Sequence, residues 1–268
     1  MVAPGQGAVR YGGETSCLAI SGDGEDVPTL VLDGGSGLRL LTRMLDGRPF
    51  RGALVLTHLH WDHVFGLPFF SAGDRPEGQV RLMLPEQGHP AEELLARVMS
   101  PPYFPIGPEG LIGQWTFEAY DEGSFGAGGF TIAAREVPHG GGRTMGLRIT
   151  DGRSTMAFIP DHAPQFSGPG EDGLGALHES VIDLARDVDL LVHDAQYTAE
   201  EFPSRWRFGH ASVEYAVRLA ERAGVRGLLL FHHEPGRHDD ALDTMLEHAR
   251  GLTDIPVDAA VEGATVTL

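Results

Sequence analysis

Five apolar runs in this 268-residue chain end on a histidine or an aspartate: Asp33 after "LVL", His58 after "LVLT", Asp161 after "MAFIP", Asp194 after "LLVH" and His232 after "LLLF". Short apolar runs of this kind suit buried strands, and the end of a sheet strand is where a rigid scaffold can hold a reactive side chain. This recurrence constrains the chain more than any single motif does. It calls for a sheet scaffold with polar groups gathered at strand ends.

The remaining runs agree. Strands are expected at "TSCLAI", "PTLVLD", "GALVLT", "QVRLML", "QWTFEAY", "FTIAAREV", "MGLRIT", "STMAFIP", "VDLLVHD", "GLLLFHH" and "DAAVEGATVTL". Helical periodicity appears over 37–46, 91–99, 174–187, 212–223 and 240–249. Ser212 is placed to cap the fourth helix, Val213, Ala216, Val217 and Ala220 form its apolar stripe, and Gly224 stops it. Strands and helices are interspersed, which predicts an α/β chain whose helices cover sheet faces. No linker or low-complexity tract divides it, so residues 1–268 are expected to form one domain.

No apolar run reaches the ~20 residues of a membrane span, and the N-terminal "MVAPGQGAVRYGG" lacks a signal-like apolar core, so a cytoplasmic location and no membrane partner are expected. The lone Cys17 cannot form an internal disulfide and reads as a small core residue. Net charge is −18, and all 20 basic residues are arginine. A field of that sign repels polyanions and argues against an extended nucleic-acid surface.

The stretch "LTHLHWDHV" carries the chemistry. His58 and His60 are one residue apart and can point the same way from an extended turn, while Asp62 and His63 can reach a second position close by. Imidazole nitrogens and carboxylate oxygens in this mixture suit Zn²⁺, and also Mn²⁺ or Fe. A solitary histidine is more often a core or solvated residue; three histidines and an aspartate in six positions after a buried run point to metal.

Here the chain resembles the metallo-β-lactamase-fold hydrolases, specifically the phosphodiesterase branch that includes tRNase Z. Further stations occur in order: "LVLDGGSG" with Asp33, "EVPHGGG" with His139, "FIPDHAP" with Asp161 and "LFHHEP" with His232. The resemblance implies a four-layer αββα sandwich and two divalent metal ions. It implies that His58, His60 and His139 hold one metal, that Asp62, His63 and His232 hold the other, and that Asp161 bridges them, with Asp33 bracing the histidine loop. His232 is preferred to His233 because it stands where the family ligand ends its strand. "HDAQ" at 193–196 resembles the "HEAT" element of tRNase Z, and "GHAS" at 209–212 resembles its "GHST" element. By that likeness Asp194, in place of the family's longer Glu, orients His210, and His210 faces the scissile phosphate as general acid. The implied nucleophile is a hydroxide bridging the metals, with Asp62 also counted among the catalytic residues.

Other histidines read as bland. His89, His178, His238 and His248 are expected in solvent, His193 is expected to pack, and His162 either lines the cleft or serves its loop. Arg143 and Arg148 are candidate phosphate partners, with a structural salt bridge the commoner role. Tyr103 and Phe104, in the proline-rich stretch 100–108, either stack on a base or pack the loop.

tRNase Z members that process tRNA carry a basic, glycine-rich arm. The segment between His63 and His139 has no lysine and no basic cluster, so the expected substrate is a small phosphodiester such as a cyclic nucleotide or cyclic sugar phosphate. Two other readings stay open: a lactone or thioester hydrolase on the same fold, and a non-catalytic metal-binding or sensor protein. The 212–223 stripe and the "PFF" at 68–70 could support a dimer, although both are more often core.

Overall fold

The computed structural model describes residues 7–268; the first six, part of the N-terminal stretch read above, lie outside the described residues. The chain divides into two compact units. One comprises Thr15–Asp121 and Gly126–Phe130; the other comprises the described residues up to Glu14, with Glu122–Phe125 and Thr131–Leu268.

The first unit is built on a five-stranded sheet in chain order: β1 (Leu18–Ile20), β2 (Leu30–Leu32), β3 (Arg51–Val55), β4 (Gln79–Pro85) and β5 (Gln114–Tyr120). β1 pairs antiparallel with β2, and β2 to β5 run parallel. Parallel neighbours put their C-terminal ends on one edge, which brings the residues after β2 and after β3 together. The helices α1 (Leu38–Met44), α2 (Trp61–Val64) and α3 (Ala91–Ala96) accompany this sheet. Its core contains Leu38, Leu41, Phe50, Leu54 and Phe70, with Cys17 only partly buried against it. Burial also pushes the Cys17 thiol pKa up, which leaves the thiol inert.

The second sheet has seven strands: β6 (Gly123–Ala127), β7 (Phe130–Glu136), β8 (Met145–Thr150), β9 (Thr155–Ile159), β10 (Leu190–Asp194), β11 (Leu228–Phe231) and β12 (Val257–Ala259), in the spatial order β12-β11-β10-β9-β8-β7-β6. β9 to β12 are parallel, whereas β7, β8 and β9 alternate. Two reversals restore direction, so β7 ends on the same edge as β9, β10 and β11. The helices are α4 (Glu179–Ala185), α5 (Phe202–Arg205), α6 (Val213–Ala223) and α7 (Asp239–Leu252).

α6 follows the predicted signals closely. Ser212 Oγ accepts from the Tyr215 N–H at 3.2 Å, and Gly224 ends the helix in the left-handed region at φ +69°. Val213, Ala216, Val217 and Ala220 are buried as expected, joined by Tyr215, Leu219 and Ala223. Full burial of a side chain such as Leu219 contributes roughly 1.5–3 kcal/mol.

The mixed α/β arrangement of sheets with accompanying helices is the one the resemblance implies. Some local expectations fail, and the helix expected over 174–187 begins only at Glu179, after Gly175 at φ +111°. The strand expected through "DAAVEGATVTL" stops at Ala259, because Gly263 at φ +74° turns the chain and the exposed residues after it form no strand. β6, in "GSFGA", was not expected: its alternation is short and glycine-rich, and it exists as the edge partner of β7. No helix among the described residues is long and apolar enough to cross a membrane.

Candidate functional site

In the unit of β1–β5, the histidine loop is anchored from the neighbouring strand end. Asp33, fully buried just after β2, accepts at Oδ1 from the Thr57 N–H (2.7 Å) and Thr57 Oγ (2.9 Å), and at Oδ2 from Ser16 Oγ (2.8 Å). Its Oδ2 also lies 2.7 Å from His63 Nδ1, which therefore carries the proton and donates. That assignment makes His63 Nε2 the lone-pair nitrogen, 3.5 Å from Asp62 Oδ2. The His58 ring lies 4.5 Å from the His60 ring and 4.1 Å from the His63 ring, so the three imidazoles form one cluster.

The loop depends on backbone contact that only glycine permits. The Gly34 N–H donates to the His63 carbonyl at 2.7 Å, and the Gly66 N–H donates to the Gly34 carbonyl at 2.8 Å. A Cβ on Gly66 would lie 1.9 Å from the Gly35 carbonyl oxygen, and one on Gly35 would lie 2.2 Å from the Asp62 carbonyl oxygen. The "DGG" after β2 thus lets two loops touch through their main chains.

In the other unit, Asp161 follows β9 and is almost fully buried. Its Oδ2 lies 3.3 Å from His139 Nε2, and its Oδ1 lies 3.3 Å from His232 Nε2. The His139 Nδ1–H donates to the Gly209 carbonyl at 2.8 Å, which leaves Nε2 as the lone pair facing the carboxylate. Gln196, the last residue of "HDAQ", sets its side-chain amide 2.8 Å from His232 Nδ1 and fixes that ring. His232 has φ +57° and Asp33 has φ +61°. Both candidate residues hold the sparsely populated left-handed region, a strain of order 1–3 kcal/mol each that the surrounding contacts sustain.

His210 stands beside this group. Its ring stacks on His232 with centroids 4.7 Å apart, and Asp161, His210 and His232 each offer a ligand atom within 4.8 Å of the others. Its Nδ1 donates to Asp194 Oδ2 at 2.9 Å. Asp194 is fully buried and also accepts the N–H of His162 (3.0 Å) and of Gln196 (3.1 Å). The shorter aspartate therefore reaches the imidazole, because the backbone N–H donors draw its carboxylate into place. A pinned Nδ1–H leaves the other ring nitrogen able to exchange a proton with a neighbouring group.

The donor chemistry fits a divalent cation. The His139 Nε2 lone pair facing the acceptor-only Asp161 carboxylate is repulsive until a cation or proton sits between them, and the Nδ1 partners of His63 and His139, a carboxylate and a carbonyl, are of the kind that orient metal-ligating histidines. The residues outside these groups are otherwise engaged. His233 Nε2 donates to the Ala260 carbonyl at 3.0 Å, and burial pushes its pKa down to about 4. His162 does not line a cleft: it is buried against His193 and Tyr215, and His193 packs as expected. Burial lowers the pKa of both. Arg143 pairs with Glu136 at 2.9 Å, while Arg148 donates to the carbonyls of Leu184 and Arg186, which gives both a structural task. Phe104 packs edge-on against Phe69, whereas Tyr103 is exposed. His89 and His248 pair with Glu93 and Glu214, and His178 with Ser180.

Sequence reasoning assigned no task to Gln196, Thr57, Ser16 or the Gly209 carbonyl. Gln196 had a signal in its motif; a main-chain carbonyl has none.

Comparison with known proteins places this geometry. The model of the Beta-lactamase superfamily domain matches residues 32–233. A ribonuclease Z of Brevibacillus brevis is 33% identical over 104 residues, which are 37% of this chain and span only 30% of that protein. Among solved structures, the metallo-β-lactamase-fold protein YhfI of Bacillus subtilis aligns with TM-score 0.70 at 21% identity, over 93% of this chain and 90% of its own. The short form of human tRNase Z aligns with TM-score 0.66 at 16% identity, over 99% and 96%. With a family model spanning three quarters of its length and the fold it presupposes, the chain belongs to the Beta-lactamase superfamily and shares the fold of YhfI and tRNase Z.

Proposed function

We propose that the chain is a dinuclear-metal phosphodiesterase acting on a small phosphodiester. His58, His60 and His139 would hold one ion and Asp62, His63 and His232 the other, with Asp161 shared. Zn²⁺ suits these donors, as do Mn²⁺ and Fe. When bound, the ions supply Lewis acidity to the phosphoryl oxygens and offset the charge that builds in the transition state.

The observation that carries the reading is the buried Asp194 carboxylate 2.9 Å from His210 Nδ1. A carboxylate-braced imidazole suits donation of a proton to a departing alkoxide, which a phosphodiester releases and a thioester does not. Asp194 holds the ring by Nδ1 and leaves its far side toward the leaving group. Asp33 and Gln196 keep His63 and His232 in register through their Nδ1 atoms. The ribonuclease Z relative supports a phosphodiester bond as the target. The net charge of −18 favours a small substrate over a folded polyanion.

The test is hydrolysis of bis(p-nitrophenyl) phosphate by protein loaded with Zn²⁺ or Mn²⁺, beside Asp161→Ala, with bound metal counted. Turnover that the variant loses supports the reading. Two ions bound with no turnover of this unhindered diester overturns it, and lactones and thioesters become the next substrates.

A further inference from the structure

The turn that delivers His210 carries groups that the proposed reaction leaves idle. After α5 the chain makes a tight helical turn over Trp206–Phe208, and Gly209 at φ +87° hands on to His210. The guanidinium carbon of Arg207 lies 5.5 Å from the Trp206 ring centroid, over its face. Phe166, which follows Asp161 by five residues, meets the same indole edge-on at 6.4 Å and 87°. The preceding Arg205 is already committed, to Glu234 at 2.5 Å and over the Tyr197 ring. Arg207 is exposed and forms no ion pair among the described residues.

The Arg207 cation is exposed on the turn that leads to His210. Here it is held against an indole, three residues from His210, and the intervening Gly209 carbonyl holds His139. A guanidinium offers paired N–H donors to phosphate oxygens, and an aromatic face offers a platform to a planar ring. An anion that carries a flat ring satisfies both at once. A sugar phosphate brings no aromatic ring to the indole, and an apolar ester leaves the cation unpaired.

We propose that Trp206 and Arg207 form a nucleotide subsite beside His210, the indole stacking on the base and the guanidinium pairing with a phosphate oxygen. This rests on the phosphodiesterase reading and narrows its substrate class to phosphodiesters with a nucleoside on one side. Phe166 braces the indole from its edge.

Calorimetry on the metal-loaded protein tests it without turnover, with uridine 5′-monophosphate and ribose 5-phosphate as probes. The wild type is expected to bind the nucleotide more tightly than the sugar phosphate by roughly tenfold, the usual scale for stacking of one base. Trp206→Ala should erase that difference, Trp206→Phe should restore most of it, and Arg207→Gln should weaken both probes. Equal binding of the two probes by the wild type, or a nucleotide preference untouched by Trp206→Ala, overturns the subsite even if bis(p-nitrophenyl) phosphate is hydrolysed. A base-dependent preference that Trp206→Ala removes supports the subsite even if that diester is not hydrolysed, a result that would instead remove the phosphodiesterase reading.

Discussion

Asp194 Oδ2 lies 2.9 Å from His210 Nδ1, and the same oxygen accepts the His162 N–H at 3.0 Å. One buried carboxylate thus ties the end of β10 to the segment after β9 and to the turn before α6. If His210 protonates the leaving group, its removal should matter in proportion to how much that group needs a proton. His210→Ala is expected to lower kcat by about 10²–10⁴-fold on a diester with an alkyl leaving group, and far less on one that releases p-nitrophenolate. Asp194→Asn should follow the same trend with a smaller loss. Rates measured across leaving groups of graded basicity check this; an equal loss on all of them would show that His210 only binds substrate.

Gly209 supports the site from the main chain. Its φ is +87°, and a Cβ built there would lie 3.1 Å from His139 Nδ1, the atom its own carbonyl holds. Gly209→Ala is expected to cost roughly 1 kcal/mol or more in backbone strain and to displace the His139 ring. Displaced orienting contacts of this kind lower metal affinity by about 10–100-fold. Competition with a chelating indicator reads that change directly, and an unchanged affinity would show that the His139 ring does not depend on this turn.

The elements legible in the sequence were those with strong local signals. α6 showed its cap, stripe and terminal glycine, and each strand that leads to Asp33, His58, Asp161, Asp194 or His232 was marked by an apolar run. What stayed hidden depends on contacts distant in sequence. The Ser16 hydroxyl and its Asp33 carboxylate are 17 positions apart, and Gly209 reaches back 70 residues to His139. The fate of His162 was hidden for the same reason: its burial depends on His193 and Tyr215, which only the fold brings to it. Short elements such as β6 and α5 lack enough residues to show a period.

Asp33 tests how far the histidine loop depends on one buried charge. It accepts from Ser16, from Thr57 twice and from His63, with no exposed surface. Asp33→Ala strands those donors and removes a side chain from a site where the backbone is already left-handed. Each buried donor left unsatisfied costs roughly 1–3 kcal/mol, so a large fall in Tm is expected, with weaker metal binding. Asp33→Asn keeps the shape and an acceptor oxygen and should recover part of the stability. A Tm within a degree of wild type for Asp33→Ala would remove Asp33 from its supporting role.

Asp239 sets an acid limit on the N-terminal segment. Its Oδ2 accepts the N–H of Val9 and of Arg10, each at 2.9 Å, and its Oδ1 accepts that of Tyr11 at 3.3 Å. The Arg10 N–H first, then those of Tyr11 and Val9 and the Arg10 charge, outweigh desolvation and hold the carboxyl below its ordinary value. A depressed carboxyl pKa means that the unfolded state binds the proton more readily. The contribution is therefore fully present above the unfolded value near ~3.9 and is lost as pH falls through the folded one. Amide exchange at residues 9–11 should stay slow at neutral pH relative to the chain's own unstructured rate, and that protection should fall below about pH 4. Asp239→Asn, which keeps an acceptor but not the charge, should show weaker protection at neutral pH with no comparable acid step. An acid step of equal size in the variant would assign it to another carboxyl.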